Sequence, residues 1–433
     1  MMITKKKIIQ FSLICTACAG ILVSVSPLSL PATTQVVSAA SSKADQSTDV
    51  TSKLQLVGQP FSTPAYARNV WDMQVFDGKI YLGHGNSSNA EPSPNAGPIP
   101  IVYYNPQTSQ FVTEKVTYTD PKTGKQSTED ATSEEQIDTF KILKGKLYIP
   151  GNDSKSEQWS FGNFYKLDGG QWNKYRNLPD GIHVYDMAYY HGKLLAAIGT
   201  DTAPKVLISD DNGENWKELA QIKGLGTRAY KFFEFKGTLY AAAILMPNNN
   251  IWGDQTHLLA IDKKFNVTQQ QVSGTNLLPG MTYVQTAGKT PYMKMGKTVV
   301  FRKQLAYIVG DVYNDAQLAP KALIVTKNIA DPARTVTFPD THALPTDIIT
   351  RPNKTYVLTY TKQADGSYIN RVYMTKNLTK WTQILQFNQD TYAKSFEELD
   401  GDFYFGLGTD TKPVSESAGK ILKVKASDLK GKS

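Results

Sequence analysis

Gly78-Lys79-Ile80-Tyr81 joins a short apolar run to a second strand-like run, and the same turn-and-strand pattern returns six more times along the chain. The other copies are Gly145-Lys146-Leu147-Tyr148, Gly192-Lys193-Leu194-Leu195, Gly237-Thr238-Leu239-Tyr240, Lys303-Gln304-Leu305-Ala306, Asn353-Lys354-Thr355-Tyr356 and Gly401-Asp402-Phe403-Tyr404. Their fourth positions are separated by 67, 47, 45, 66, 50 and 48 residues. A strand-rich period of about 45–50 residues is typical of a β-propeller blade. The sequence therefore predicts an all-β, seven-bladed β-propeller, with six blades as the alternative because the fifth and sixth copies are weak.

A second set of seven apolar runs supports the same number of blades, because each run has the composition of a third strand. They are Ile101–Tyr104, Phe164–Leu167, Val206–Ser209, Leu258–Ile261, Ala322–Val325, Val372–Thr375 and Ile421–Val424. The last blade has no room for a fourth strand after Lys425, whereas Leu54–Gly58 is a spare strand near the start. We expect this N-terminal strand to close the ring, which would leave no open edge between the first and last blades.

The first 40 residues combine a basic start, a long apolar run and the small residues Val37-Ser38-Ala39-Ala40. This order predicts a secretory signal peptide over residues 1–40, with a retained membrane anchor as the alternative. Residues 41–52 are polar and predict a disordered leader, and residues 53–433 form one propeller domain. Both cysteines, Cys15 and Cys18, lie in the signal, so a secreted domain would depend on its buried core and not on disulfides.

Removal of the signal lowers the formal charge from +8 to +5, because Lys5, Lys6 and Lys7 leave with it. A modest lysine excess suits attraction to an anionic wall polymer or an acidic glycan. No basic run with interleaved aromatic residues is present, so nucleic acid is not expected as a partner. We expect a secreted monomer that does not stay inserted in a membrane after the signal is removed. Association with the cell wall is an additional hypothesis.

The sharpest motif is Ser209-Asp210-Asp211-Asn212-Gly213-Glu214-Asn215-Trp216, which matches the Asp-box pattern Ser-x-Asp-x-Gly-x-x-Trp. Asp211 can accept backbone N–H bonds in a tight turn, Gly213 can adopt positive φ, and Trp216 can pack between sheets. With this motif the chain resembles the Asp-box, or sialidase-like, propeller superfamily over about residues 54–425. The resemblance implies a structural role for Ser209, Asp211, Gly213 and Trp216, on the face opposite the functional site.

The chain differs from true sialidases in the arginine residues that bind the substrate. Those enzymes bind a carboxylate with three arginines, one of them in a Phe-Arg-Ile-Pro motif, because guanidinium pairs with carboxylate in a bidentate way. The nearest match here is Phe301-Arg302-Lys303, late in the chain and without the proline. Arg68 and Arg228 precede first strands, where such a clamp would lie, and they are candidate ligand-binding residues.

The loops after the second strands are expected at the same face as the channel mouth, which we call the top face. They carry Gly-Asn, Gly-Asp or Gly-Thr-Asp sequences. These residues could simply form turns, or they could form a polar ring that binds sugar or a cation such as Ca²⁺. The same loops contain exposed aromatic candidates for stacking on a sugar ring. The candidate ligand-binding residues of these loops are Asp153, Asp201, Trp159, Trp252 and Tyr313.

Asp72, Asp186 and Asp347 each lie six residues before the Gly-type turn position, and Lys231 occupies the same place in its own repeat. If the register holds, these side chains line one central channel. Paired carboxylates could act as general acid and base on a glycosidic bond, or they could be structural. His183 is a further catalytic candidate, since a propeller lyase needs a His or Tyr base near an Arg or Lys, and Tyr185, His183 and Arg228 are residues of these types. The five histidines lack zinc-site spacing, so no zinc site is indicated. No cofactor is expected, with Ca²⁺ at the polar ring as the alternative.

The sequence thus favours a secreted propeller that binds an extracellular or cell-wall glycan at its top face without catalysis. A glycoside hydrolase or polysaccharide lyase acting from the same channel mouth is the first alternative. A scaffold that binds another protein is the second, because propellers serve all three purposes.

Overall fold

The computed structural model describes residues 48–87, 95–158, 160–221, 228–243, 247–248, 251–252, 256–272, 274–277, 279, 292–313, 317–410 and 413–429. The described strands form seven antiparallel blades, which confirms the predicted seven-bladed β-propeller and rules out the six-bladed alternative. The only α-helix among these residues is the single turn α1 (Gly274–Leu277).

The first four blades follow the chain in order. Blade 1 contains β2 (Asp72–Phe76), β3 (Lys79–Gly83), β4 (Ile101–Asn105) and β5 (Gln110–Glu114). Blade 2 contains β8 (Lys141–Leu143), β9 (Lys146–Pro150), β10 (Phe161–Asp168) and β11 (Gln171–Pro179). Blade 3 contains β12 (His183–Tyr190), β13 (Lys193–Gly199), β14 (Lys205–Ser209) and β15 (Lys217–Gln221). Blade 4 contains β16 (Ala229–Phe235), β17 (Thr238–Ala243), β20 (Thr256–Ile261) and β21 (Val267–Val272), with the short pair β18 (Pro247–Asn248) and β19 (Ile251–Trp252) after β17.

The last three blades complete the ring. Blade 5 contains β22 (Tyr292–Phe301), β23 (Gln304–Tyr313), β24 (Gln317–Thr326) and β25 (Arg334–Thr335). Blade 6 contains β26 (Leu344–Arg351), β27 (Lys354–Lys362), β28 (Tyr368–Thr375) and β29 (Thr382–Gln389). Blade 7 contains β30 (Ala393–Leu399), β31 (Asp402–Leu407), β32 (Ile421–Val424) and the N-terminal strand β1 (Gln55–Gly58).

The N-terminal strand closes the ring, as predicted. β1 pairs antiparallel with β32, with Gln55 opposite Lys423 and Leu56 opposite Leu422. The chain segment before β1 is also packed: the Val50 N–H donates to the Gln386 carbonyl at 2.8 Å, and the Val50 side chain is buried. Residues 48–52 of the predicted disordered leader therefore lie against β29, and the ordered domain begins before residue 53.

Blade 2 is wider than the other blades because it carries the first of the two insertions expected from the repeat spacing. The hairpin β6 (Val116–Thr119) and β7 (Gln126–Glu129) extends its outer edge, with β6 parallel to β11. Because β5 of blade 1 runs almost directly into β6, the chain links the outer edges of blades 1 and 2. Much of the second insertion, between β21 and β22, falls outside the described residues.

The turns between first and second strands explain why the repeat is marked by glycine. In five copies the glycine and the residue before it both have positive φ, as at Asp77 (50°) and Gly78 (69°). That pattern is a type I′ turn, which matches the twist of two antiparallel strands. The fifth blade makes the same kind of turn with Arg302 and Lys303, both at positive φ, and this accounts for its weak sequence signal.

The core of the molecule lies between blades. Among the residues that the structure describes, the buried apolar side chains form seven clusters, each shared by two neighbouring blades. Tyr404 of blade 7 and Tyr104 of blade 1 share the cluster at the closure, with ring centres 6.0 Å apart. The first strands of neighbouring blades contact one another around the axis, and this places their N-terminal ends at the mouth of a central channel.

Candidate functional site at the channel mouth

One position per blade, six residues before the turn, forms a ring in the central channel. From blade 1 to blade 7 its members are Asp72, Thr139, Asp186, Lys231, Lys297, Asp347 and Ser395. The structure brings the three predicted aspartates and Lys231 into this one ring. It adds Lys297, which the sequence analysis did not select although it had located the fifth repeat at Lys303. Counting six residues back from Lys303 would have revealed it.

The charges of the ring are paired across the channel. Lys297 Nζ lies 2.6 Å from Asp72 Oδ1 and 2.7 Å from Asp347 Oδ1, so one ammonium is shared by carboxylates of blades 1 and 6. Asp186 has the opposite arrangement, with Lys141 Nζ at 2.8 Å and Lys231 Nζ at 3.4 Å. Three carboxylates and three ammonium groups therefore balance one another in this part of the channel.

Each channel aspartate also ties its blade to the next one. The backbone N–H groups of Phe140, Phe232 and Phe396 donate to the Oδ2 atoms of Asp72, Asp186 and Asp347 at 2.8, 2.9 and 3.0 Å. All three aspartates are at least 98% buried, with exposed fractions of 2%, 0% and 1%. The carboxylates thus take the place of backbone acceptors where neighbouring first strands are not paired.

The paired charges shift the ionisation of the ring. Burial raises the pKa of Asp347 to about 6, although Lys297 opposes the rise. Burial also disfavours the charged form of Asp186, but Lys141 and Lys231 outweigh it and hold the pKa of that carboxyl below its usual value. Burial lowers the pKa of Lys231, against the attraction of Asp186.

A pocket of about 130 Å³ opens above this ring at the top face, and we call it the channel-mouth pocket. Lys231 and Lys297 form part of its floor. Its walls include the residue immediately before each ring position: Trp71, Asp138, Tyr185, Tyr230, Gly296, Thr346 and Lys394. Tyr392, Met295 and Pro320 complete the apolar part of the lining.

β-Bulges explain why residues at consecutive positions both reach the channel. The strand register shifts at Tyr185, Tyr230, Thr346 and Lys394, so each is an extra residue opposite the second strand of its blade. A bulge re-aims the side chain of the extra residue. The ring position therefore lines the channel and its predecessor lines the pocket, a distinction that repeat counting alone does not make.

Aromatic rings and ammonium groups dominate the pocket wall. Lys394 Nζ lies 3.9 Å from the centre of the Trp71 ring, and the Trp71 Nε1–H donates to the Gly85 carbonyl at 2.8 Å. On the other side, the Tyr185 and Tyr230 rings are 4.3 Å apart. These contacts hold the aromatic side chains in fixed orientations on both sides of the pocket.

His183, Tyr185 and Arg228 form a hydrogen-bonded cluster beside the pocket. Arg228 donates from Nε to the Tyr185 hydroxyl at 2.6 Å, and Arg228 Nη2 lies 3.2 Å from His183 Nε2. Because arginine can only donate, His183 Nε2 must be the acceptor, and its Nδ1–H then donates to the Asn152 carbonyl at 2.9 Å. Burial, assisted by Arg228, lowers the pKa of His183 to about 4, so the imidazole is neutral.

A group of carboxylates borders this cluster. Asp153 Oδ2 lies 3.5 Å from His183 Nδ1, and the Asp153 N–H donates to the buried Glu134 carboxylate at 3.0 Å. Burial, with the charges of Glu135 and Glu134, raises the pKa of Asp153 to about 7. Burial likewise raises the pKa of Glu135 to about 7. Among the described residues, no group of three or more His, Cys, Asp or Glu side chains is arranged to hold a metal ion.

The remaining predicted site residues lie away from the pocket or outside the description. Arg68 donates to the Thr63 carbonyl at 2.5 Å and does not line the pocket, and Asp201 is exposed in the loop after β13. Trp159 lies outside the described residues, and only the backbone is described at Trp252 and Tyr313. Sequence reasoning did not select Trp71, Lys394, Tyr230 or Tyr392, because their role depends on the bulges and on the neighbouring blades.

The Ser209–Trp216 turn lies between β14 and β15, at the end of blade 3 opposite the pocket. Ser209 Oγ donates to Asp211 Oδ1 at 2.7 Å, and the Asn215 N–H donates to the same oxygen at 2.9 Å. Gly213 has φ +102°, and a Cβ there would come within 2.7 Å of the Phe164 ring. Trp216 packs against Phe164 at the interface of blades 2 and 3. This turn therefore has the geometry that its sequence motif predicts.

Comparison with known proteins finds similarity of fold only. No family model matches the chain, and no curated protein matches it. Among solved structures, the chain is similar to the extracellular domain of a protein described as a hybrid two-component system from B. thetaiotaomicron, with 11% identity and a TM-score of 0.49. The match covers 86% of this chain and 42% of that one, so this chain spans less than half the length of that extracellular domain.

Two further solved structures are similar at the same level. The polysaccharide lyase Uly1 is 11% identical with a TM-score of 0.46, over 86% of this chain and 93% of that one. The β-propeller domain of the Trilobed protease from Pyrococcus furiosus is 9% identical with a TM-score of 0.43, over 80% and 93%. In the part of the chain that the structure describes, no helix is long and apolar enough to cross a membrane.

Proposed function

We propose that this protein is a secreted carbohydrate-binding propeller that takes one sugar unit of an extracellular or cell-wall glycan into the channel-mouth pocket. The observation that carries this proposal is the lining of the pocket, where four aromatic side chains stand beside three lysines and one carboxylate: Trp71, Tyr185, Tyr230 and Tyr392, with Lys231, Lys297, Lys394 and Asp138. A sugar ring has an apolar face that suits an aromatic side chain and hydroxyl edges that suit polar groups. The protein acts as a monomer in this proposal.

The size of the pocket supports recognition of a single unit. Its volume of about 130 Å³ is below the ~300–1,000 Å³ of pockets that enclose a whole small molecule. A terminal residue or a side branch of a polymer fits this description better than a long oligosaccharide enclosed along its length. The rest of the polymer would extend over the top face.

The channel aspartates support binding without catalysis. Asp72 already accepts one backbone N–H, Asp186 and Asp347 accept two each, and each aspartate is in contact with at least one ammonium group. A general acid must carry a proton to the substrate, and these buried carboxylates instead hold blades together. We therefore assign them a structural role in this proposal.

The test is a binding assay of residues 41–433 against host and bacterial polysaccharides, with product formation followed in the same samples. Trp71→Ala is expected to weaken binding at least tenfold, about 1.4 kcal/mol, since it removes one aromatic wall. Phe161→Ala is the matched control, because Phe161 is an exposed aromatic of blade 2 (45% exposed) outside the pocket. Equal binding by both variants would refute the site, and no binding to any polymer would favour a protein partner.

A lyase or hydrolase is the second candidate, and the His183–Arg228–Tyr185 cluster is the observation that favours it. A phenol next to a guanidinium could act on a sugar in the pocket, since Tyr185 lines it and Arg228 contacts the Tyr185 hydroxyl. New reducing ends or unsaturated products that vanish in Tyr185→Phe would establish this activity. Binding without product, unchanged in Tyr185→Phe, would contradict it.

A further inference from the structure

A second, larger cavity lies on the opposite face, between blades 1 and 2. Its volume is about 320 Å³, and we call it the bottom-face pocket. It is bordered by three hairpin turns: the β2–β3 turn at Asp77, the β8–β9 turn at Gly145 and the β10–β11 turn at Gly169-Gly170. Phe76, Leu167, Tyr81, Glu114, Lys79, Lys146 and Asp168 also line it.

The cavity exists because blade 2 has an unusually short turn between its third and fourth strands. In blade 3 the equivalent turn is Ser209–Trp216, and Trp216 fills the space against Phe164 of blade 2. In blade 2, Asp168 and Gln171 are separated only by two glycines, and a Cβ built at either would meet no atom within 4 Å. The corresponding tryptophan, Trp172, lies deeper, fully buried against Tyr81. The outer part of this groove is therefore left open.

The walls of the cavity present opposite charges side by side. Lys146 Nζ is 2.7 Å from Asp168 Oδ1, and Lys79 Nζ lies 4.5 Å from the centre of the Tyr103 ring. At the inner end, Glu114 accepts from the Trp172 Nε1–H at 2.6 Å. A strongly charged ligand would meet a like charge on one wall, whereas hydroxyl groups can donate to carboxylates and accept from ammonium groups. Phe76 and Leu167 supply an apolar surface for a ring.

We propose that the bottom-face pocket is a second binding site, for an uncharged sugar unit. Its volume is at the lower end of the ~300–1,000 Å³ range of small-molecule sites, so it accepts a monosaccharide or disaccharide. With the channel-mouth pocket on the other face, the protein would hold two sugar units at once and bridge glycan chains. The existence of the bottom-face site does not depend on the channel-mouth site, although the bridging does.

The test is a titration of the purified chain, residues 41–433, with methyl α-glucopyranoside and methyl β-N-acetylglucosaminide at millimolar concentrations, followed by calorimetry and crystal soaking. Glucuronate and glucosamine serve as charged probes of similar size. We expect an uncharged probe to occupy the bottom-face pocket, and Lys79→Ala and Phe76→Ala to weaken that site at least tenfold. Binding at the channel mouth should persist in both variants, and Trp71→Ala should leave the bottom-face site intact.

Lys193→Ala is the matched control. Lys193 occupies the same repeat position as Lys79, and its ammonium lies 4.7 Å from the centre of the Phe265 ring and contacts Asp210. It does not line the bottom-face pocket. Unchanged affinity in Lys79→Ala and Phe76→Ala, tighter binding of a charged probe, or an empty pocket with every probe would overturn the proposal. Thermal unfolding of each variant separates loss of the site from loss of the fold.

Discussion

Lys297 is the side chain on which the charge balance of the channel most depends, because it serves two buried aspartates from different blades. Its ammonium is the close ion-pair partner of both Asp72 and Asp347. Removing one partner of a buried ion pair leaves an uncompensated charge. This destabilises the folded state far more than replacing the whole pair with apolar residues. The ring therefore links blades 1, 5 and 6 through a single residue.

Lys297→Met is expected to lower the free energy of unfolding by about 3–5 kcal/mol, because two carboxylates then face each other without a cation. Urea denaturation followed by far-UV circular dichroism would measure the change. Lys303→Met in the adjacent turn is the control, since Lys303 is exposed and is expected to change stability by less than about 0.5 kcal/mol. Similar small effects in both variants would contradict the shared ion pair.

At the scale of elements, the hairpin turns show that different residues can form the same turn geometry. Gly78 and Lys303 occupy the same turn position, with φ of +69° and +61°. Only glycine adopts such a conformation without strain. The sequence signal was therefore strong in blade 1 and weak in blade 5, although both turns have the same type.

Lys303→Gly is expected to raise the free energy of unfolding by about 0.5–1 kcal/mol, and Gly78→Ala to lower it by a similar amount. The space around a Cβ at Gly78 is open, so the loss would come from the backbone alone. Chemical denaturation of both single variants tests the pair. Effects of the same sign in the two variants would show that side-chain contacts, and not φ, decide the stability of these turns.

The N-terminal strand closes the ring, so its removal should lower the stability of the whole domain. A chain that begins at residue 61 lacks β1 and exposes the edge of β32, which is paired with β1 in the intact protein. We expect this truncation to unfold in a single transition at clearly lower denaturant than a chain that begins at Thr48. A second, unchanged transition would instead mean that blade 7 unfolds by itself.

At the scale of the whole molecule, buried ionisable groups set an expected pH dependence of stability. Burial raises the pKa of Asp347 to about 6 and those of Glu135 and Asp153 to about 7. The folded state then binds more protons than the unfolded state, so these groups lower stability as the pH rises through their folded pKa values. Burial lowers the pKa values of His84 and His183 to about 4. Between that value and the usual histidine pKa, the unfolded state binds more protons at these side chains, so they raise stability as the pH rises.

The three raised carboxyl pKa values outweigh the two lowered histidine pKa values, so the unfolding free energy should fall between pH ~5 and pH ~7 and level off above pH ~7. Denaturation curves from acid to mildly alkaline pH would measure this profile. Glu135→Gln should make this fall shallower, while Asp201→Asn, at an exposed site, should leave the profile unchanged. A profile that rises steadily to pH ~8 would contradict the raised carboxyl pKa values.

The sequence by itself determined the all-β class, the seven repeats, the closing strand and the position in each repeat that faces the axis. These follow from local rules: turn glycines need positive φ, and strand residues alternate with a period of two. A repeat therefore reveals its axial position as soon as its turn is located, as for Asp72, Asp186 and Asp347. Lys297 could have been found in the same way.

Only the tertiary structure decided which charges meet and which residues form the pockets. Lys297 reaches Asp72 across the channel because ring closure brings blades 5 and 1 within the length of a side chain. Tyr185 and Lys394 line the channel-mouth pocket because bulges place two consecutive residues on one side of a strand, which strict alternation forbids. The bottom-face pocket depends on two glycines in one blade facing a second blade. Such contacts join residues far apart in the chain, and their geometry is set by the packing of the whole ring.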